Sequence, residues 1–360
     1  MKRIKETVLI AAITLLLLLV LEAGVRLFAP QQTKTQLLAG RSLVVEDSVL
    51  GHRNRPGVIA LQRSPEFSVR YVIDEQGLRS RSNQGPPGEP GSLRILLLGD
   101  SFTFGVGNDY SAIWPTVFEE TLKARGYRVQ VFNAGVPGYD TRNEVRLLEH
   151  LWSRLDPDWV VLTLLPHDLF TNAPISDAVS VRPSENVVAI QDEKTPFLHV
   201  LTLLQRLLLQ SDWLYSQVYR QTARAAFFEE PASEAVQAQY ETTTALLRRA
   251  HAYCQEREVP FLVLSLPQQF QVLLESHRYD AGTLDVRAVD RKLGAVAQQA
   301  GFPWIAALDT LAHAQRHEQT DLYYRYDGHL TAQGNRVVGR YVARQFEEIL
   351  KALRAPQHAP

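Results

Sequence analysis

Between residues 93 and 352, five short apolar runs alternate with longer stretches of helical pattern. The runs fall at 94–98, 128–132, 158–164, 260–265 and 303–306, and the helical stretches at 111–125, 140–154, 236–257, 285–300 and 331–352. A strand followed by a helix has to be carried back to the starting edge before the next strand begins. The strands therefore come out parallel, with right-handed crossovers, in a doubly wound α/β sheet. Asp140, Asp285 and Thr331 stand where helix N-caps are expected. No internal repeat interrupts this pattern. Residues 170–235 do, and from Phe197 to Tyr219 that insertion is strongly apolar. It reads as an extra helix packed on the core, a cap over a site, a membrane-leaning helix or a partner surface.

The other end of the chain carries a second constraint. Lys2, Arg3 and Lys5 precede an uncharged apolar run from Thr7 to Leu21, and Glu22 and Arg26 follow it. The uncharged core is about 15 residues, against the ~20 of a typical spanning helix, and counting on to Phe28 supplies the length. An uncleaved signal anchor over 1–30 is the first reading. A cleaved signal peptide and a buried soluble helix are the others. With the basic flank held in the cytoplasm, everything after residue 30 would lie outside the inner membrane of a bacterium, as a single-pass protein. Residues 31–92 read as a linker and a small extended subregion. Within them Val69–Ile73 has strand character, and a Gly- and Pro-rich boundary runs over 81–92. The main domain then covers 93–355.

Composition excludes several classes. The 360 residues carry 38 basic and 39 acidic side chains, so no basic field favours nucleic acid. Cys254 is the single cysteine, which rules out an intrachain disulfide and disfavours a cysteine metal cluster. His313 and His317 have the i, i+4 spacing of helical metal ligands but no third partner nearby, and they read as a solvated face. Gly105-Val106-Gly107 is not a full dinucleotide fingerprint. Trp114, Trp152 and Trp159 read as core. No cofactor and no metal are implied.

The chemistry concentrates at the strand ends. The run Ile95–Leu98 leads into Gly99-Asp100-Ser101, which leaves a serine at the carboxyl edge of the sheet, where open α/β sheets bind ligands. Such a serine becomes a nucleophile when a histidine reaches it. Asp327-Gly328-His329 stands before the last helix. In an extended segment, residues i and i+2 share a side, so Asp327 can hold one ring nitrogen of His329 while the other faces Ser101. The competing readings are a turn serine that caps the next helix and a surface histidine before a capped one. Asn133-Ala134-Gly135-Val136-Pro137-Gly138 follows the second strand, and Leu165-Pro166-His167-Asp168 follows the third.

These four blocks, in this order over about residues 93–350, resemble the SGNH (GDSL-type) hydrolases. The likeness is to the membrane-anchored bacterial branch, with its preceding segments like Leu50–Gly57 and Gly77–Ser80. The resemblance implies a flavodoxin-like doubly wound sheet of about five parallel strands. It also implies a catalytic set of Ser101, His329 and Asp327, and an oxyanion hole formed by the N–H groups of Ser101 and Gly138 with a side chain at position 167. Gly138 also has a plain reading as a turn after Pro137, and Gly135 reads as structural.

Two departures stand out. The family's asparagine is replaced here by His167, which can donate in its place, tune the site to pH or mark weakened activity. The family's aspartate usually lies three residues before the histidine, where this chain has Tyr326. Asp100 and Asp168 read as residues that order their turns, and Asn172 as structural. The implied activity is a serine esterase acting on O-acetyl or short acyl esters at the cell envelope. The alternatives are an O-acyltransferase that modifies a cell-surface polysaccharide, and a catalytically weak binding or assembly protein. The expected partners are an acyl-ester or glycan substrate and a membrane reached through the N-terminal helix, with no nucleic acid.

Overall fold

In the computed structural model, which describes residues 2–31, 36–37, 42–84, 89–172, 198–317 and 321–354, the chain begins with one long helix, α1 (Lys2–Phe28). Its segment Ile4–Phe28, 25 residues with a mean hydropathy of 2.7, is long and apolar enough to cross a membrane. At 1.5 Å per residue it extends roughly 37 Å, against the ~30 Å of a hydrocarbon core. Its leucines are exposed along its length.

Two small antiparallel layers follow. Strand β1 (Gln36–Leu37) precedes a hairpin of β2 (Val44–Asp47) and β3 (Gly51–Asn54). Strand β4 (Ile59–Arg63) pairs with β1 on one side and with β5 (Ser68–Val72) on the other, with Ala60 opposite Tyr71. The alternating burial of β4 and β5 is the mark of a sheet wet on one face. The dry face, including Ala60, Val69 and Tyr71, packs on Phe104 and Val106 of the main domain. Arg79 is driven into the same seam and is only 1% exposed. Its guanidinium lies 5.0 Å from the Tyr71 ring and 5.4 Å from the Phe104 ring, and it donates to the carbonyls of Val72 and Asn108.

All five expected strands form and join one parallel sheet: β6 (Leu93–Gly99), β7 (Val129–Gly135), β8 (Trp159–Leu164), β9 (Phe261–Ser265) and β10 (Trp304–Ala306). Their order, β10-β9-β8-β6-β7, is the flavodoxin-like one. The apolar runs at the centre of the sheet are uninterrupted. Ile95 to Leu98 and Val160 to Leu162 are fully buried, as expected of strands covered on both faces. The order reverses between β6 and β8, and a crevice at that switch point is where such folds bind ligands.

The helices between them are α2 (Ser101–Phe104), α3 (Trp114–Ala124), α4 (Thr141–Leu155), α5 (Asp168–Thr171), α6 (His199–Leu209), α7 (Asp212–Arg220), α8 (Glu234–Gln255), α9 (Gln269–His277), α10 (Ala288–Ala300), α11 (Leu308–His317) and α12 (Ala332–Arg354). Asp140 caps α4 by accepting from the Asn143 N–H at 3.0 Å, and the Thr331 hydroxyl accepts from the Gly334 N–H at the start of α12. Asp285 does not cap α10. Its carboxylate turns the chain by accepting from the Arg287 N–H, and the helix begins only at Ala288. Phe346 of α12 fixes that helix to the sheet, with ring centroids 4.8 Å from Trp159 and 5.4 Å from Phe118. Burying such a ring contributes about 1.5–3 kcal/mol. Trp114 and Trp159 are core, whereas Trp152 is half-buried against Tyr253.

The apolar insertion divides: Tyr215 and Tyr219 of α7 pack against the core, whereas α6 does not. Residues 173–197 lie outside the described residues. Helix α6 leaves Leu201, Leu204, Leu207 and Leu208 exposed, and it packs beside α1 instead.

Candidate active site

The nucleophile turn is set by close packing. Ser101 is the first residue of α2, directly after β6, and Asp100 caps that helix by accepting from the Phe102 N–H at 2.8 Å. The N–H of a first helical residue has no acceptor within its own helix, so that of Ser101 is free to face a ligand. Helix α2 lies so close to the end of β7 that a Cβ on Gly135 would stand 2.3 Å from the Phe104 nitrogen. Gly135 is thus structural, as expected. Gly138 turns the next loop at φ +84°, a left-handed conformation that glycine adopts without strain.

The two ends of the chain meet here. His329 Nε2 lies 2.7 Å from Ser101 Oγ, and His329 Nδ1 lies 2.5 Å from Asp327 Oδ1. The two-residue spacing serves because Gly328, at φ +84°, folds the loop so that both side chains face inward. The loop is closed by bonds from the Tyr324 N–H to the His329 carbonyl and from the Gly328 N–H to the Tyr324 carbonyl. Tyr326, which stands where the family's aspartate is usual, points elsewhere and accepts from the Gln210 amide. Burial works against the charge of Asp327, but the His329 ring beside it holds the carboxylate below its ordinary range.

A cavity of about 590 Å³ opens over Ser101 and His329, within the usual size range of a small-molecule site. Gly138 and His167 line it, and so do Leu209, Tyr215, Tyr219 and Arg224 from the insertion.

A profile of the GDSL-like lipase/acylhydrolase family matches residues 97–337, most of the chain. The chain belongs to this family. An arylesterase of Vibrio mimicus is 31% identical over 77 residues, covering 21% of this chain and 38% of that relative's length. The psychrotrophic esterase EstA from Pseudoalteromonas sp. superposes with a TM-score of 0.42 at 12% identity, over 72% of this chain and 98% of that one. A catalytic mutant of Axe2, an acetylxylan esterase from Geobacillus stearothermophilus, gives 0.41 at 13% identity, over 72% and 96%.

Position 167 of this GDSL-like family member, where the resemblance implies an asparagine, holds a histidine, and the structure shows what it touches. His167 Nε2 lies 3.0 Å from Asp100 Oδ2 and 3.4 Å from Asp168 Oδ1, while Nδ1 lies 3.5 Å from the Gln268 amide nitrogen. The Nε2 proton is therefore committed to the Asp100 carboxylate. In the neutral ring Nδ1 accepts from the Gln268 amide N–H, and a hydrogen on Nδ1 as well exists only in the protonated ring. Desolvation pulls the His167 pKa down, but Asp168 and Asp100 outweigh it and raise the value above the ordinary one.

Behind His167 the acids are buried. Asp168 Oδ2 accepts from the Leu165 N–H, which orders the turn as expected. Burial foremost, with Asp100 and Asp140 adding, pushes the Asp168 carboxyl up to about 8. Glu144 of α4 is fully buried, and neither of its carboxyl oxygens has a hydrogen-bond partner among the described residues. Burial, then Asp168, Asp100 and Asp140, hold it well above the carboxylate range. Asp100, at 3.0 Å, is the closer partner of His167. The ligand atoms of Asp100, His167 and Asp168 lie within 4.8 Å of one another, the spacing of a metal set. A cation there would have to displace the proton that His167 Nε2 already places between them.

Other predicted residues sit in supporting positions. Asn172 is structural, donating to the hydroxyls of Thr141 and Thr243. The rings of His313 and His317 lie 4.4 Å apart, tilted by 46°, on an exposed face.

Three contributors escaped the sequence reading. The Glu66 carboxylate, from the small layer, accepts from the N–H groups of Tyr326 and Asp327, the latter at 2.8 Å. Gln268, at the carboxyl end of β9, joins Tyr219 to His167. Its place at a strand's carboxyl end was the signal available. Arg224 lines the cavity from a short 3₁₀ segment, Ala223–Phe228.

Proposed function

We propose that this hydrolase cleaves O-acetyl or other short acyl esters through an acyl-Ser101 intermediate. The observation that carries the reading is the continuous chain Asp327–His329–Ser101, with both contacts at hydrogen-bonding distance. His329 takes the proton of Ser101 as the hydroxyl attacks the ester carbonyl and returns it to the departing alcohol. Asp327 holds the ring's other nitrogen and stabilises its positive charge. The negative oxygen of the tetrahedral intermediate meets the N–H groups of Ser101 and Gly138, and the Nδ1–H of His167 when that ring is protonated and Nδ1 turns from the Gln268 amide. Water then attacks the acyl-serine by the same route in reverse. A sugar hydroxyl in place of water would make the same residues an O-acyltransferase.

The reading extends to place. Helix α1 anchors the enzyme, and everything after residue 30 works outside the cytoplasm, where cell-surface glycans carry such esters. The deciding experiment is turnover of a chromogenic acetyl ester with and without a sugar acceptor, following the acyl group by mass spectrometry. Release as free acid marks the esterase, and acetylated sugar marks the transferase. No turnover, with no labelling of Ser101 by a fluorophosphonate in folded protein, would leave only a binding role. A reporter fused after residue 360 tests the topology, since activity confined to the cytoplasm is incompatible with the proposed anchor.

A further inference from the structure

We propose that helices α6 and α7 form a second membrane contact, a ridge that lies in the headgroup layer of the bilayer that α1 crosses. The inference rests on the anchor reading above and adds a surface to it.

Three observations converge. The first is the exposed face. Leu201, Leu204 and Leu208 follow the i, i+3, i+7 spacing of one helical face and are 58, 48 and 52% exposed. Leu207 stands beside them, and Trp213 at the start of α7 is 56% exposed. A tryptophan next to an apolar helical face is the composition of an interfacial helix.

The second is position. The uncharged run ends at Leu21, and Glu22 is the first charge beyond it, so Glu22 stands near the far interface. Glu22 is also the residue that holds α6: its carboxylate accepts from the N–H groups of His199 at 2.9 Å and Val200 at 3.0 Å. A second tie lies just beyond α1, where the Gln31 N–H donates to His199 Nδ1 and Arg206 donates to the Gln31 side chain. The apolar ridge is thus continuous with the spanning helix and starts at the depth where that helix leaves the lipid tails. This continuity is why lipid, rather than another protein, is the occupant.

The third is the link to chemistry. Leu209 ends the ridge and lines the catalytic cavity. Gln210 donates to Tyr326, Arg206 lies 5.4 Å from the Tyr326 ring, and Arg325 pairs with Asp212 of α7. One rim of the site is therefore built from the ridge, and the catalytic loop is fastened to it.

A depth measurement tests this with the full chain in phosphatidylcholine nanodiscs. Native Cys254 is fully buried, so an environment-sensitive dye can be placed on Leu204→Cys, on Leu17→Cys within α1, and on Glu348→Cys. The last is roughly 24 Å along α12 from its start, at the far edge of the sheet. Ester turnover of each labelled protein verifies its fold. Nitroxide-bearing lipids are expected to quench the probes at 17 and 204 several-fold more than the one at 348. Quenching at 17 with none at 204 overturns the ridge and leaves the anchor standing. A probe at 204 that is shielded from aqueous iodide yet untouched by the lipid nitroxide shows that protein covers the ridge, which also overturns it. Absence of quenching at both 17 and 204 removes the anchor, and the second contact with it.

Discussion

The two sides of the proposed catalytic centre are built on opposite principles. On the nucleophile side, Ser101, His329 and Asp327 are joined by short direct bonds, and one loop presents both the base and its carboxylate. On the oxyanion side, His167 leans on Asp100 and Asp168 in front of a fully buried Glu144 with no hydrogen-bond partner among the described residues. The first side depends on geometry and keeps its carboxylate charged. The second depends on where a small number of protons reside, because burial has made two of its acids reluctant to ionise. A serine hydrolase can thus hold its proton-transfer chain fixed while its electrostatic side varies.

The largest effects should come from the fixed side. Ser101→Ala is expected to lower kcat by about 10⁴-fold or more, and Asp327→Asn by about 10⁴-fold, since an amide leaves His329 in the wrong tautomer. Steady-state kinetics on an acetyl ester measure both. If Asp327→Asn lost less than tenfold, the division drawn above would fail.

The variable side should respond differently to two replacements of one residue. His167→Ala is expected to cost about 10²–10³-fold in kcat, the scale of one oxyanion donor. His167→Asn should stay within tenfold of the parent. A pH profile sharpens the point. The pKa of His167 is raised, so its second N–H is present below that value and is lost as pH rises through it. Turnover should fall on the alkaline side in the parent enzyme and lose that fall in His167→Asn. An unchanged profile would show that the ring works only through Asp100.

A smaller effect is expected where the small antiparallel layer touches the fixed side. Glu66→Gln weakens the two bonds to the catalytic loop, and a loss of about tenfold in kcat corresponds to one charge-assisted hydrogen bond of ~1.5 kcal/mol. An unaltered kcat would make Glu66 a bystander. Smallest in turnover, but visible in stability, is Asp168→Asn. A buried acid whose folded pKa is raised keeps its proton while the unfolded chain gives it up. Its contribution to stability is greatest below the ordinary value of 3.8 and is lost as pH rises towards about 8. Denaturant midpoints across that window should fall less steeply for Asp168→Asn than for the parent.

Much of this was legible in the sequence, for physical reasons. The central strands are continuous apolar runs because both faces are covered, so Ile95–Leu98 and Trp159–Leu164 announce themselves without any partner in view. Ser101 and His329 lie at a strand end and a helix start, which are positions that topology alone sends to one edge. The helices α9 and α11, nine and ten residues long, went unread. Glu66 went unread because it acts through backbone groups 260 and 261 positions away, and no local pattern encodes that. The role of His167 depends on Asp100 and Gln268, from two other segments. A residue can be seen to break a motif long before its protonation partners are known.

The order of the parts along the chain has a consequence for biosynthesis. Ser101 precedes His329 by 228 residues, and the base arrives just ahead of the final helix. A ribosome releases the nucleophile long before anything can activate it. Any product truncated before Asp327 carries Ser101 without the proposed base and its carboxylate.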